Sequence, residues 1–206
     1  MTLARYPIPA ETTRIETRVA NSRFIATIGE ARTVEAAKAF IDSIRAEFPD
    51  ATHHVFAYRV GYGASITEGM SDDGEPRGTA GRPALAVLRG ADLGDVALVV
   101  TRFFGGTKLG TGGLVRAYTE AAQAALAALP RAERVEKRSG EITIAYPLYE
   151  RVKKLVGETG GEIVGEEFGA DIIMRIVFAV DRVEDFESRL TVLTAGRASP
   201  HWESNL

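Results

Sequence analysis

The sequence has no cysteine, a single tryptophan and three histidines among its 206 residues. Lack of cysteine excludes disulfides, thiolate catalysis and cysteine-based zinc sites together. No apolar run approaches a membrane span, and the N-terminal stretch lacks the apolar core of a signal peptide. No sign of charge dominates either. With 25 basic and 28 acidic side chains the formal balance is -3, which argues against a surface devoted to nucleic acid, so any basic site must be local. The expectation is a cytoplasmic protein with no membrane contact and no cofactor, in one large or two small domains.

Glycine is plentiful but unevenly placed. Thirteen of the 21 glycines fall between Gly61 and Gly113. Glycine weakens regular structure and is useful where the backbone turns left-handed or something must approach closely. Two stretches stand out, Ser71 to Pro83 (SDDGEPRGTAGRP) and Thr101 to Arg116 (TRFFGGTKLGTGGLVR). Between them the apolar run Val96 to Val100 reads as a buried strand.

Around this centre the periodicities predict the rest. Residues up to Thr13 form an irregular lead-in, since Pro7 and Pro9 block a helix. Ile15 to Ile28 is a strand or hairpin interrupted near Asn21-Ser22, Thr33 to Phe48 a helix, and Val55 to Val60 a strand entered through His53 and His54. Ser65 to Ala80 is too rich in glycine and short polar residues for regular structure. A short helix spans Pro83 to Leu88, a strand Val96 to Phe104, and an alanine-rich helix Leu114 to Leu129. The charged segment Arg131 to Arg138 is the expected boundary, giving domains 1–132 and 133–206. After it come strand Glu141–Ala145, helix Leu148–Val156, strands Glu162–Phe168 and Asp171–Val180, a helix to Gly196 opened by an Asp181/Glu184 capping box, and a strand near His201-Trp202. That is the ferredoxin-like βαββαβ order. Residues 1–132 hold 15 basic and 14 acidic side chains, a balance of +1; the remainder hold 10 and 14, a balance of -4. An anion therefore belongs with the first domain.

Each candidate motif admits a functional and a structural reading. The Gly105–Gly113 run precedes a helix, where free N–H groups and the helix dipole favour phosphate, with Lys108 adding charge; it serves equally as a tight strand-to-helix turn. Its order is not that of a P-loop. Asp72, Asp73 and Glu75 form an acidic cluster suited to Mg²⁺ or acid–base work, or to shaping the loop and pairing with Arg77 and Arg82. Arg102 at a strand end suits bidentate phosphate contact with a neighbouring phenylalanine for base stacking; alternatively it pairs with Asp72 or Asp73. His53 and His54 point to opposite faces of a strand and cannot chelate one metal together. No metal site is expected, and no residue is assignable as catalytic.

The two stretches, Ser71 to Gly81 and Arg102 to Gly106 continuing through Gly110 and Gly112-Gly113-Leu114-Val115-Arg116-Ala117-Tyr118, resemble the signature of the YigZ/IMPACT family, with Ala51-Thr52-His53 matching too. The resemblance covers nearly the whole chain. It implies an α+β protein: an N-terminal IMPACT-type domain of the ribosomal-protein-five domain-two-like fold, shared with GHMP-type kinases and the fourth domain of elongation factor G. A ferredoxin-like domain resembling that factor's last domain follows. Eukaryotic IMPACT proteins regulate translation by competing for the activator of an amino-acid-starvation kinase, and nucleic-acid or ribosome binding is the usual inference for the bacterial branch. Family members commonly carry Tyr in place of Phe103 and Asn-Cys in place of His54-Val55, so roles of that hydroxyl or thiol do not transfer.

The combined expectation is a non-enzymatic RNA- or ribosome-binding translation regulator, with a translation-related protein as a further partner. Arg77, Thr79, Arg82, Arg102, Lys108, Gly112 and Arg116 would hold phosphates, with His53 near bases. The two loops would line one cleft, formed by Asp73, Glu75, Arg77, Thr79, Arg102, Lys108 and Gly112. The alternatives are an enzyme acting on a small phosphorylated ligand, by analogy with GHMP kinases, and a protein-interaction module.

Overall fold

The strands of the first unit begin with β1 (Arg5–Pro9), which pairs with β7 (Arg131–Val135). The computed structural model describes residues 5–203, and they divide into two units after Arg134. Strand β2 (Thr13–Val19) turns through Ala20 and Asn21, both at positive φ, into β3 (Ser22–Glu30). Thr33 caps α1 (Val34–Glu47) by accepting from the Ala36 N–H at 3.1 Å, a cap its hydroxyl is suited to supply. There follow β4 (His53–Tyr62), β5 (Ser65–Ser71), α2 (Gly81–Gly90), β6 (Val96–Phe103) and α3 (Gly110–Ala128).

Five of these strands make one antiparallel sheet in the order β2-β3-β6-β4-β5. β6 is central and is buried at every position but its last, as its unbroken apolar run requires. Its alternating side chains divide the core. Val96, Leu98 and Val100 join Phe24, Ala26, Ile28, Val55 and Ala57 beneath α2 and α3. Ala97 and Val99 face α1 with Phe40, Phe56 and Tyr58. Arg102 continues the row Val96-Leu98-Val100, so its place in the alternation sends it to the α2/α3 face.

This topology fixes where the loops lie. β5 and β6 both run antiparallel to β4, which places their C-terminal ends at the same end of the sheet. Helix α2 is entered from that end of β5, and α3 from that end of β6. Both helix N-termini therefore open there, beside the start of β4 at His53 and of β3 at Ser22.

The second unit contains β8 (Lys137–Ile144), α4 (Tyr149–Glu158), β9 (Glu162–Phe168), β10 (Ile172–Ala179), α5 (Val183–Thr194) and β11 (His201–Trp202). Its antiparallel sheet has the order β11-β8-β10-β9, the ferredoxin-like arrangement. Ile142, Ile144, Met174, Ile176 and Phe178 on the sheet meet Val152, Leu155, Phe186 and Leu190 on the helices.

Three local expectations are corrected. Ser65–Ser71 is a strand because seven cross-strand pairs with β4 and the Arg59–Glu68 ion pair at 3.0 Å outweigh weak local propensity. Gly69, which looks like a breaker, makes room for the Tyr58 ring: a Cβ there would lie 2.3 Å from it. The lead-in holds a strand, since β1 finds β7 more than a hundred residues away. The cap position of α5 is Arg182 and not the expected Asp181. The helix is entered through a 3-10 turn, Val180–Arg182, with no side-chain capping bond at that position.

Candidate functional site

At the end of β6 the Arg102 side chain reaches the α2/α3 face and is only 4% exposed. Its Nη1 donates to Glu75 Oε1 at 2.5 Å and its Nη2 to Ser22 Oγ at 3.3 Å, while Nε has no partner. The guanidinium lies over Phe24 and Phe104, 5.4 and 5.6 Å from the ring centroids. Glu75 is equally buried and accepts a second bond, from Tyr118 Oη at 2.8 Å. His53 approaches the same carboxylate oxygen with Nε2 at 3.8 Å and donates from Nδ1 to the Asp73 carbonyl at 2.7 Å. Burial, and next the Glu75 charge, push the Tyr118 phenol far above the usual range, so Tyr118 stays a donor. The result is a buried arginine–carboxylate–tyrosine network. Pairing of this kind is what makes buried charge tolerable.

The acidic residues do not converge. Asp72 accepts from the backbone N–H groups of Gly78, Ala80 and Gly81 at 2.7, 3.0 and 2.8 Å, closing the start of α2. Burial opposes its charge, but those three donors outweigh it and hold the carboxyl below the ordinary aspartate range. Asp73, at φ +46, pairs with Arg45 at 3.1 Å and accepts from the His54 N–H at 2.6 Å. Three carboxylates thus serve three different sets of donors, and among the described residues no group of three or more metal-ligating side chains assembles. Arg45 and Arg102, rather than Arg77 and Arg82, are their arginine partners. His54 is buried on the α1 side with Nδ1 3.2 Å from Thr101 Oγ1, and burial lowers its pKa.

Above the buried pair lies a cavity of about 250 Å³ lined by Glu75, Pro76, Arg102, Phe104, Lys108, Leu109, Gly110, Thr111 and Leu114. The two glycine-rich stretches therefore share one concavity. Its floor is buried and its rim, Lys108, Thr111 and Phe104, is exposed. Helix α3 starts here with no side-chain cap and no acidic residue in its first turn. Its N–H groups and dipole are left uncompensated, a setting that favours anions.

Of the residues expected in one cleft, Glu75, Arg102 and Lys108 line this cavity, and Asp73, Arg77, Thr79 and Gly112 do not. Arg77, Arg82, Lys108 and Arg116 are exposed and, among the described residues, none of the four forms an ion pair. Arg82 borders a separate groove between α2 and α3 with Val87, Val115 and Leu126. Thr79 is buried and its hydroxyl is spent on the Pro76 carbonyl at 2.6 Å, so it is not placed to hold a ligand. Gly112 sits in the first turn of α3, and a Cβ there would meet nothing within 4 Å. Sequence reasoning missed Tyr118, Ser22 and Arg45. Only Tyr118 carried a signal: a tyrosine on an otherwise apolar helix stripe needs a partner for its hydroxyl.

Comparison with known proteins supplies the kinship. Residues 20–126 match the Impact N-terminal domain and residues 142–197 match a domain of unknown function, DUF1949. An IMPACT family member, YigZ, of Escherichia coli (strain K12) is 37% identical over 190 residues, covering 92% of this chain and 93% of that protein. An IMPACT family member of Haemophilus influenzae is 37% identical over 196 residues, 95% of each chain. A solved structure described as a hypothetical protein aligns with a TM-score of 0.70 at 35% identity, over 99% of this chain and 100% of that one.

Proposed function

The chain belongs to the IMPACT family, and from that premise we propose that it is a cytoplasmic RNA- or ribosome-binding protein that acts in translation, with the α2/α3 end of the first unit as its phosphate-binding face. One observation carries the reading. Four exposed basic side chains that form no ion pair among the described residues, Arg77, Arg82, Lys108 and Arg116, belong to the two loop–helix segments that begin at one end of the sheet, where the uncapped N-terminus of α3 opens. Most other arginines of that unit are committed to carboxylates, as Arg14, Arg45, Arg59 and Arg89 are. Phosphate contacts give affinity and position without reading sequence. Phe104, 47% exposed beside Lys108 on the cavity rim, offers a base a stacking surface.

Gly112 supports the same reading. Its steric surroundings are open and its φ is not positive, so neither packing nor backbone geometry demands glycine at a helical position where it costs about 0.5–1 kcal/mol against alanine. A backbone that a phosphate approaches closely does demand it. Gly112→Ala is therefore expected to raise the melting temperature and weaken RNA or ribosome binding together. The check pairs a thermal melt with anisotropy titration of a single-stranded RNA and with ribosome co-sedimentation. Higher stability with unchanged affinity in both overturns the phosphate-face reading.

A second reading, an enzyme acting on a small phosphorylated ligand, is favoured by the buried Glu75 carboxylate on the cavity wall with His53 and Tyr118 at hand. Turnover of a phosphorylated metabolite or nucleotide that Glu75→Gln abolishes is the result that would select it.

A further inference from the structure

We propose that the groove between α4 and α5 of the second unit docks an acidic, amphipathic helical segment of a partner protein; the inference does not rest on the phosphate-binding reading above. The groove encloses about 620 Å³ on the solvent side of the two helices. Its apolar floor is the first argument. Leu155 is buried and Leu193 half-buried, and both pack into the core of the unit. Val192 lines the groove beside them and is 83% exposed, more than any other large apolar side chain among the described residues. A lone exposed valine needs no explanation. One that extends the floor of a groove adds apolar area whose removal from water favours docking.

Charge is the second argument, and it selects the occupant. Residues 133–206 hold 10 basic and 14 acidic side chains, yet three of the basic ones, Arg151, Lys154 and Arg189, line the groove against the single carboxylate of Glu158. A unit that is acidic as a whole is basic here. Glu158 accepts from Arg189 at 2.6 Å and lies 3.6 Å from Lys154 Nζ. All three side chains are exposed, and ion pairs of that kind contribute little, so a partner's carboxylates can replace Glu158 readily. Arg151 is exposed and forms no ion pair among the described residues. A nucleic-acid strand fits this groove less well. No aromatic side chain lines it to stack a base, and phosphates gain nothing from Val192 and Leu193. A helix with carboxylates flanking an apolar stripe satisfies both floor and walls, the stripe seating its anchors in the groove and the charges setting orientation.

The experiment pans a displayed library of random peptides, each about 16 residues or some four helical turns long, against the full chain. The selected consensus peptide is then labelled and titrated by anisotropy. The expected sequences are rich in Asp and Glu, with Leu, Ile or Phe at helical spacing. Val192→Gln should weaken the consensus peptide about tenfold, the loss of one valine side chain from the contact, and Arg151→Glu should weaken it by a similar factor or more. Neither substitution threatens folding: Val192 is exposed, and Arg151 lies in the first turn of α4, where an acidic residue is favoured. Both variants should bind a single-stranded RNA as the parent does. Recovery of no peptide, of peptides without the acidic and apolar pattern, or of peptides indifferent to both substitutions overturns the inference. A loss of RNA affinity in the same variants also overturns it, by making the groove a nucleic-acid surface. So does a parent that dimerises in sedimentation where Val192→Gln does not, because the occupant is then a second copy of this chain. Each of these outcomes leaves the Gly112→Ala test of the phosphate face standing on its own.

Discussion

The two ends of the five-stranded sheet each bury a carboxylate, and they treat it differently. At one end Asp95, just before β6 and 1% exposed, accepts from Tyr6 Oη at 2.8 Å and from the Gly61 N–H at 2.8 Å, and pairs with Arg134. These donors come from β1, β4 and β7, so the residue ties the N-terminal strand and the end of the unit to the sheet. Tyr6 stacks on Tyr62, with centroids 4.9 Å apart, and closes over it. At the other end Glu75 is held by Arg102 and Tyr118, but a cavity remains beside the pair and one Arg102 donor is unspent. One end is a finished joint. The other keeps a cavity and exposed cations, the features on which the proposed phosphate face rests.

The sharpest break between the two ends is in what their loss should cost. Glu75→Gln leaves the Arg102 charge buried without its counter-ion, and removing one partner of a buried pair costs roughly 3–5 kcal/mol. Asp95→Asn leaves Arg134, whose side chain is 39% exposed and free to rehydrate. The expected loss is then about 1–3 kcal/mol, that of weakened buried hydrogen bonds. Urea denaturation of the two variants measures both. If Asp95→Asn proves the more damaging, the two carboxylates do not differ in the way the exposure of their arginine partners implies.

An alkaline titration sharpens the comparison further. Burial, then the hydrogen bond to Asp95, pushes Tyr6 up to about 12. Because the folded pKa exceeds the unfolded one, the folded state holds this proton more tightly. The associated stability is complete below about pH 10, the ordinary tyrosine value, and drains away as pH rises through 10 toward 12. Tyr118 is raised as well, again by burial first and Glu75 second, so both ends contribute to the alkaline limb. Tyr6→Phe is expected to make stability fall less steeply with pH in that window than in the parent protein, at a cost near 1 kcal/mol at neutral pH. Melting temperatures taken across the window decide it; an unchanged slope would mean that the Tyr6 proton is not coupled to folding.

How much of this was legible beforehand divides along the same line. Val96 to Val100 announced the central strand by composition alone, and the two glycine-rich stretches flanking it announced that something happens at its ends. The shared concavity followed from chain length between them, because one helix and one strand return the chain to the same end. What could not be read was pairing over distance. Nothing local connects Glu75 with Arg102 or Asp73 with Arg45, and Asp72 looked like a possible ligand when it is the cap of α2. The lead-in looked irregular because β1 is a strand only through its pairing with the distant β7. Likewise Ser65–Ser71 holds its extended form through β4, against its own composition.

The smallest expected effects test the site end alone. Arg77, Lys108 and Arg116 are exposed and without ion-pair partners among the described residues, so their replacement by alanine removes no buried contact. Surface changes of this kind move stability by about 0.5 kcal/mol or less. Lys38 is a fair control: it is exposed on α1, which packs on the opposite face of the sheet. If the basic end binds the RNA backbone, each neutralised phosphate contact should lower the slope of log affinity against log salt by about one. Lys108→Ala and Arg116→Ala should each do so, and Lys38→Ala should leave the slope where it was. A slope that shifts equally for all three would mean that the RNA responds to net charge and not to this face. That result would dissolve the difference between the two ends as far as function is concerned, while leaving the stability contrast between Glu75 and Asp95 untouched.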